Sequence, residues 1–443
     1  MGRTFWLLTT LAAALLVACG AAFAQVQPPQ NAGEEKRFIV VLEDDVSSSR
    51  SVADAHARRY GVAVTNVYSH ALNGYAAKVP EQALPGIRHD PRVAFVEQDY
   101  MQHAFNHDSS QTLPTGINRI EGEQSSTKSG DHTGTVEVDI AVLDTGIQKD
   151  HPDLNVAGGY NCTSSIRSNY GDGHGHGTHV AGIAAAKDDN TGVVGAAPGA
   201  RLWAMKVLTD SGIGFTSWII CGIDRVTAMN TDANPDNNIE VANMSLGGSG
   251  GDSTCNSFFD SYHKAICNST KAGVTYAVAA GNSNKDLKDS RPATYDQVLA
   301  VTAVSDFNGV PGGGAAATCR ADVDDTSADF SNFTTVGHAD ANHTIAAPGV
   351  CIESTWKGST YNTISGTSMA SPHVAGTAAL CIATSGTTRK CTGGPSDVMS
   401  DLRIDAEARS NDPAVSPYYG FTDDPKTPNG SRYYGYLEYA GGY

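Results

Sequence analysis

The chain has 443 residues and a formal net charge of −17 at pH 7. That length exceeds one ordinary domain and is enough to bury a sizeable core. The acidic balance argues against nucleic acid or an anionic membrane surface as partner, since both call for basic patches.

The N-terminus has one early positive charge, Arg3, then an apolar stretch from Phe5 to Ala24 that closes on Ala22-Phe23-Ala24 before Gln25. This pattern predicts a secretory signal peptide over 1–24 and an extracellular product. Leu16-Val17-Ala18-Cys19 offers a competing reading, a lipoprotein cleavage box with Cys19 as the lipidated residue. No later segment is long and apolar enough to span a bilayer. Residues 25–36 are polar and contain proline, as a linker would. Loss of Cys19 with the signal leaves eight of the nine cysteines. An even number in an exported chain predicts up to four disulfides. Nearness in sequence favours Cys255–Cys267 and Cys381–Cys391, and elimination leaves Cys162–Cys221 and Cys319–Cys351. Connectivity stays open at this level.

Residues 37–105 read as a small α+β unit. Strands are predicted at 38–42, 75–79 and 93–96, a helix at 52–60 and a short helix at 84–89. From residue 136 onward strands alternate with helices. Val138–Leu143 reads as a buried strand, with further apolar strands at 202–207, 241–245, 274–279 and 299–303. Helical segments are expected at 177–187, 216–229 and 396–410. The alternation predicts an α/β domain, a parallel sheet with helices on both faces. Tyr433–Tyr439 is expected as a closing strand after a loop insertion at about 411–430.

In such sheets ligands gather at the carboxyl ends of strands. Asp144-Thr145-Gly146 stands at one such end. His176-Gly177-Thr178-His179-Val180-Ala181-Gly182 and Gly366-Thr367-Ser368-Met369-Ala370-Ser371-Pro372 each open a helix. They offer an acid, a base and a nucleophile in the chain order Asp, His, Ser. A serine hydroxyl needs a base to take its proton, and an imidazole needs an acid to fix its tautomer. A helix starting at the nucleophile points N–H groups and its positive dipole end at a developing oxyanion. His174 and His179 flank the base without the His-Glu-x-x-His spacing of a zinc site. They are read as a loop residue and a packed helix residue.

The three motifs and their flanks resemble those of the subtilisin-type serine proteases, the subtilase family, over roughly residues 110–443. Residues 37–105 resemble the family's inhibitory propeptide. The resemblance implies a subtilisin-like catalytic domain over 106–443 and a secreted serine endopeptidase with Asp144, His176 and Ser368 as its triad. The resemblance further implies a zymogen that cuts itself near Phe105-Asn106. Asn282, after Val278-Ala279-Ala280-Gly281, matches the family's oxyanion asparagine. Ser245-Leu246-Gly247-Gly248 resembles the substrate-binding strand and Gly212-Ile213-Gly214 the opposing one, so polypeptide substrates would bind by β-augmentation. Gly281 and Ser290 would line a roomy specificity pocket that favours large apolar residues before the scissile bond. A structural Ca²⁺ site is implied, with carboxylates from Asp153 and Asp189 and carbonyls from Lys187, Thr191 and Val193. That oxygen shell suits calcium. The expected partners are peptide substrates and the chain's own propeptide, as inhibitor and folding aid, on a monomer. The complete Asp, His, Ser and Asn set argues against a dead scaffold that only binds.

Overall fold

A computed structural model describes residues 37–99, apart from 44 and 70–72, and residues 111–443, apart from 233, 256, 258, 259, 386, 387 and 390. The expected signal, Cys19, the linker and the Phe105-Asn106 processing site lie outside the described residues. The chain divides between residues 106 and 107 into two compact units.

The first unit runs β1 (Arg37–Leu42), α1 (Ser49–Tyr60), β2 (Ala63–Tyr68), β3 (Gly74–Lys78), α2 (Leu84–Arg88) and β4 (Val93–Gln98). The four strands form one antiparallel sheet in the order β2-β3-β1-β4. Phe38, Val40 and Leu42 alternate into the core, as a strand with one covered face requires. Helix α1 starts where the Ser48 hydroxyl accepts the Ser51 N–H at 3.2 Å and stops at Gly61, whose φ of 69° is left-handed. It lays Val52, Ala53 and His56 on the sheet. β2 escaped the sequence reading because it is an edge strand, largely exposed, and shows no clean apolar alternation.

The second unit opens with α3 (Thr115–Arg119) and β5 (Asp139–Asp144). It continues with β6 (Val156–Asn161), α4 (His176–Ala185), β7 (Arg201–Lys206), α5 (Thr216–Thr231) and β8 (Val241–Met244). Then come β9 (Gly248–Ser249), α6 (Ser261–Lys271), β10 (Thr275–Ala279), β11 (Ser290–Arg291), β12 (Leu299–Ser305) and β13 (Thr326–Ser327). The last elements are β14 (Thr334–Thr335), β15 (Thr344–Pro348), the hairpin β16 (Ile352–Trp356) and β17 (Thr360–Ile364), α7 (Thr367–Ile382) and α8 (Pro395–Asn411).

Seven strands pair in parallel in the order β15-β12-β10-β8-β5-β7-β6, and the short β13 adds an antiparallel edge on β12. All six residues of β5 are buried. Apolar side chains cover the sheet in two separate clusters: one holds Ile140, Val142 and the inner face of α7, the other Leu143, Val207 and Val278. Burial on both faces is why these strands read as continuous apolar runs. Each buried Val, Leu or Ile contributes about 1.5–3 kcal/mol. After β5 the chain builds β6 and β7 on one side of it and β8, β10, β12 and β15 on the other. The carboxyl end of β5 is therefore a topological switch point, where α/β sheets open a crevice.

All four proposed disulfides are present: Cys162–Cys221, Cys255–Cys267, Cys319–Cys351 and Cys381–Cys391. The closing strand at 433–439 is not. Only Arg432 and Tyr433 form a ladder, with Thr334–Thr335, and Leu437 makes an isolated parallel bridge to Ala346. Tyr434 and Leu437 are buried because they pack with Tyr419 and Phe421, not because a strand continues through them.

Candidate active site

Three elements deliver the expected triad to one end of the sheet. Asp144 is the last residue of β5 and is fully buried. His176 is the first residue of α4. Ser368 is the second residue of α7, and α7 packs along α4. His176 Nδ1 and Asp144 Oδ1 are 2.8 Å apart, and the same oxygen accepts the Thr145 N–H at 2.7 Å. With Nδ1 donating to the carboxylate, Nε2 is left as the basic nitrogen. Burial disfavours the imidazolium, but the Asp144 charge, its hydrogen bond and the Asp172 charge together hold His176 above the ordinary imidazole value of 6.5.

Asp172 was not singled out by the sequence, and it fixes this pair. Its Oδ1 accepts the N–H groups of His174 (2.9 Å) and Gly175 (2.8 Å) and the Thr145 hydroxyl (2.9 Å). Its Oδ2 accepts the Thr178 N–H and hydroxyl, at 2.9 and 2.7 Å. One carboxylate thus clamps the end of β5 to the N-terminus of α4, where negative charge is favourable. Its sequence signal was present: an acid four residues before the base. His179 is buried with Nε2 on the Ile352 and Asn362 carbonyls, at 3.1 and 2.9 Å, and burial pushes its imidazole down to about 3. It is a packed helix residue, and His174 stands on the loop before α4 with its ring edge-on to His176.

The Ser368 hydroxyl donates to the Ser245 carbonyl at 3.3 Å rather than to His176. A change of χ1 would redirect it, and such bonds are commonly loose before substrate arrives. A buried polar chain supports the nucleophile. The Ser245 hydroxyl donates to the Ser368 carbonyl (2.7 Å) and accepts from Asn243 Nδ2 (3.0 Å), while Asn243 Oδ1 accepts the Ser371 hydroxyl (2.7 Å).

Asn282 lies just beyond β10, where its Oδ1 accepts the Thr367 N–H (2.9 Å) and hydroxyl (2.8 Å). Those bonds fix the amide orientation and leave Nδ2 to donate elsewhere. A Cβ built on Gly366 would stand 3.3 Å from that Nδ2 and 3.6 Å from the Ser368 nitrogen. The two donors therefore face one small space that glycine leaves open. First-turn N–H groups of a helix have no intrahelical acceptor, and Ser368 contributes one.

Leu246, Gly247, Gly281, Asn282, Ser290 and Ser368 are among the residues around a cavity of about 260 Å³. Asn332, also missed by the sequence reading, ties its walls together. Asn332 Nδ2 donates to Ser290 Oγ (3.1 Å) and the Ala280 carbonyl (2.9 Å), and its Oδ1 accepts the Ser283 N–H (3.0 Å). Gly281 has φ 107°, and a Cβ there would meet Asn332 Nδ2 at 2.5 Å, so both conformation and space require glycine. Gly212-Ile213-Gly214 is not a strand: Thr209 N–H bonds the Ile213 carbonyl at 2.9 Å, closing a turn, and the segment runs on into α5. Ser245, Leu246 and Gly247 likewise continue beyond β8 without a ladder partner, and pairing resumes only at β9 with β11.

The expected calcium ligands come together. The Lys187, Thr191 and Val193 carbonyls converge on the side-chain amide of Gln111, whose Nε2 lies 2.7, 3.4 and 3.1 Å from them. Gln111 is a further member the sequence did not reveal, placed by the bridge between Thr112 and Val193. Buried Gln111 Oε1 and Asp153 Oδ1 have no hydrogen-bond partner. Burial pushes the Asp153 carboxyl up to about 7, against the lowering effect of the Val193 N–H bond (3.0 Å). Asp189 uses Oδ1 to close the Thr191 turn, at 2.7 Å to its N–H and 2.9 Å to its hydroxyl. Converging oxygens, an unpaired carboxylate oxygen and an amide that can turn its own oxygen inward fit a hard cation.

Sequence comparison agrees with this geometry. Residues 136–421 match the Subtilase family and residues 37–104 match Peptidase inhibitor I9. Subtilisin J of Geobacillus stearothermophilus and Subtilisin E of Bacillus subtilis (strain 168) are each 35% identical to the chain over 385 residues, which is 86% of this chain and 89% of theirs. A structure described as a cold adapted subtilisin-like serine proteinase superposes with a TM-score of 0.51 at 28% identity, covering 74% of this chain and 98% of that one. A parallel sheet whose switch point carries the Asp144–His176 pair, with Ser368 on the neighbouring helix and an I9 unit ahead of it, places the chain in the subtilase family, as a serine endopeptidase.

Proposed function

We propose that the chain is a secreted, calcium-stabilised endopeptidase that cuts peptide bonds through an acyl-enzyme on Ser368. The observation that carries this is the 2.8 Å bond between His176 Nδ1 and Asp144, which leaves Nε2 free to act as base. Nε2 takes the Ser368 proton as Oγ attacks the scissile carbonyl, and returns it to the leaving amine. Asp144 holds the tautomer and stabilises the imidazolium. Asn282 Nδ2 and the Ser368 N–H donate to the tetrahedral oxyanion. Water then repeats the sequence and frees the acid product. Extended substrate backbone lies along Ser245, Leu246 and Gly247 on one side and Gly212–Gly214 on the other. The I9 unit acts as inhibitor until it is degraded, and the mature enzyme acts as a monomer. Asp153, Asp189, Gln111 and the three carbonyls would hold calcium, which would supply charge neutralisation and rigidify the loop. Fluorophosphonate labelling tests the reading: the wild-type chain takes one label at Ser368, and Ser368→Ala takes none.

Specificity follows from the pocket walls. Gly281, Ser290 and Asn332 are small or neutral, and Arg291, which also lines the pocket, has its Nε taken up by the Gly251 carbonyl at 3.0 Å. A peptide library should show preference for large apolar and aromatic residues before the cut. A strong basic preference would contradict it, since the residues lining the cavity include Lys285 and no acid.

The acid limb of kcat/KM reports His176. The neutral imidazole is the active form, so activity is present above its pKa and lost as pH falls through it. The shift is upward, so the limb lies above 6.5. Asp172→Asn removes one charge that raises it, and the limb should move to lower pH. An unchanged limb, or one moved upward, would refute that role.

A further inference from the structure

Away from the cleft, three side chains with metal-ligating atoms meet where the turn leaving the specificity pocket approaches the entry to β15. Asp296 follows the β11 turn, and Asp340 and His343 lie on the short 3-10 turn Ala339–His343. His343 Nε2 is 3.6 Å from Asp340 Oδ1 and 3.9 Å from Asp296 Oδ1. These are ion-pair separations, too long for hydrogen bonds. His343 is only 3% exposed, yet neither of its ring nitrogens has a hydrogen-bond partner, and the same holds for Oδ2 of buried Asp340. His338 does not relieve that oxygen. Its Nδ1 lies 3.2 Å away but accepts the N–H of Asp340 itself at 3.3 Å. A buried polar group left unpaired is costly, and this cluster leaves three such atoms.

A cation between them would give His343 Nε2, the ring nitrogen nearest both carboxylates, the partner it lacks. The three ligand atoms all lie within 4.8 Å of one another. A tetrahedral ion bound at about 2.0–2.1 Å sets its ligand atoms about 3.3 Å apart. The 3.6 and 3.9 Å separations from His343 are close to that, and the exposed Asp296 side chain can rotate to bring the remaining pair in from within 4.8 Å. Two carboxylates and an imidazole are a nitrogen-and-oxygen set that suits Zn²⁺, whereas Ca²⁺ takes oxygen alone. Asp252 adds negative charge close enough to feel Asp296 and Asp340. On the open side Asp296 and His343 border a cavity of about 720 Å³. Its wall also carries Lys271 and Arg403, and Arg403 donates to the Ala341 carbonyl at 3.2 Å. We propose that Asp296, Asp340 and His343 bind one Zn²⁺ ion, with a fourth coordination position open to this cavity. The ion staples the turn behind the specificity pocket to the strand that leads toward the nucleophile. The inference does not depend on the catalytic reading or on the Asp153 shell.

The test uses full-length Ser368→Ala protein, which avoids self-digestion, stripped with a chelator and titrated with Zn²⁺ by calorimetry. One equivalent should bind, raise Tm, and be replaceable by Co²⁺ with the visible absorption of a tetrahedral centre. Changing groups that only orient a metal ligand costs about 10- to 100-fold in affinity, so loss of a ligand should cost at least tenfold. Asp296→Asn and His343→Gln should each show that loss and lose the Tm response, while His176→Gln keeps both. No stoichiometric binding, or a loss smaller than tenfold in Asp296→Asn, overturns the proposal. Asp296 is exposed enough that its variant keeps the test valid even if His343→Gln fails to fold.

Discussion

Replacing Ser368 with alanine is expected to abolish peptide hydrolysis and leave the full-length precursor uncut. The variant keeps the oxyanion donors and the cleft but has no atom to form the acyl-enzyme. Residual acceleration should therefore fall to the background of about 10³–10⁴ over water that binding and the oxyanion donors supply. His176→Ala should be nearly as severe, because base and nucleophile act as one unit. Both magnitudes come from measurements on subtilisin, a relative of this chain, and not from its geometry. Processing gives a second readout. Wild-type protein should cut itself near Phe105-Asn106, where Phe105 supplies the aromatic residue the proposed specificity calls for, and a cut after Ala104 or His107 would be a near miss. N-terminal sequencing and intact mass decide. A mature N-terminus in purified Ser368→Ala protein without an added protease would remove Ser368 as the self-processing nucleophile.

What the sequence revealed and what it hid differ for physical reasons. β5, β8, β10 and β12 were legible because parallel strands buried on both faces must be apolar throughout. Asp144, His176, Ser368 and Asn282 were legible because each sits in a run of glycines and small residues that the chemistry constrains. Asn332, Asp172 and Gln111 were not. Each acts through contacts made by folding: Asn332 spans from the Ser290 hydroxyl to the backbone around Gly281, and Asp172 caps a helix across a loop. Asp172 offered only its spacing, an acid four residues before the base, and a lone polar residue in a loop carries no periodicity to announce such a role. The closing strand failed in the opposite sense. Tyr434 and Leu437 are buried as a strand's inner face would be, but other chain segments bury them without a ladder. Burial is what an apolar pattern reports, and pairing is only one way to achieve it.

Removing calcium is expected to lower Tm and speed autolysis. An ion that binds only the native state stabilises it by about 2.7 kcal/mol at a hundredfold excess over Kd. At about 2–4 °C per kcal/mol for a domain of this order of size, the shift is about 5–10 °C. Autolysis accelerates because the 187–193 loop, once loosened, can enter another molecule's cleft as extended chain. Asp153 gives this prediction a change of sign. Its folded pKa is raised from 3.8 to about 7, so without the ion the buried carboxylate destabilises the fold wherever it is ionised. That cost is absent at pH below 3.8, where the acid is protonated in both states, and is complete once pH exceeds about 7. At pH 8 in chelator, Asp153→Asn should therefore be neutral or stabilising. In saturating calcium the same variant should be destabilised relative to wild type, because a ligand charge is gone. Asp153→Ala with Asp189→Ala should remove the calcium response altogether. If Tm of that double variant still rises with calcium as much as the wild type's, the ion is bound elsewhere, and the unpaired oxygens of Asp153 and Gln111 need another explanation.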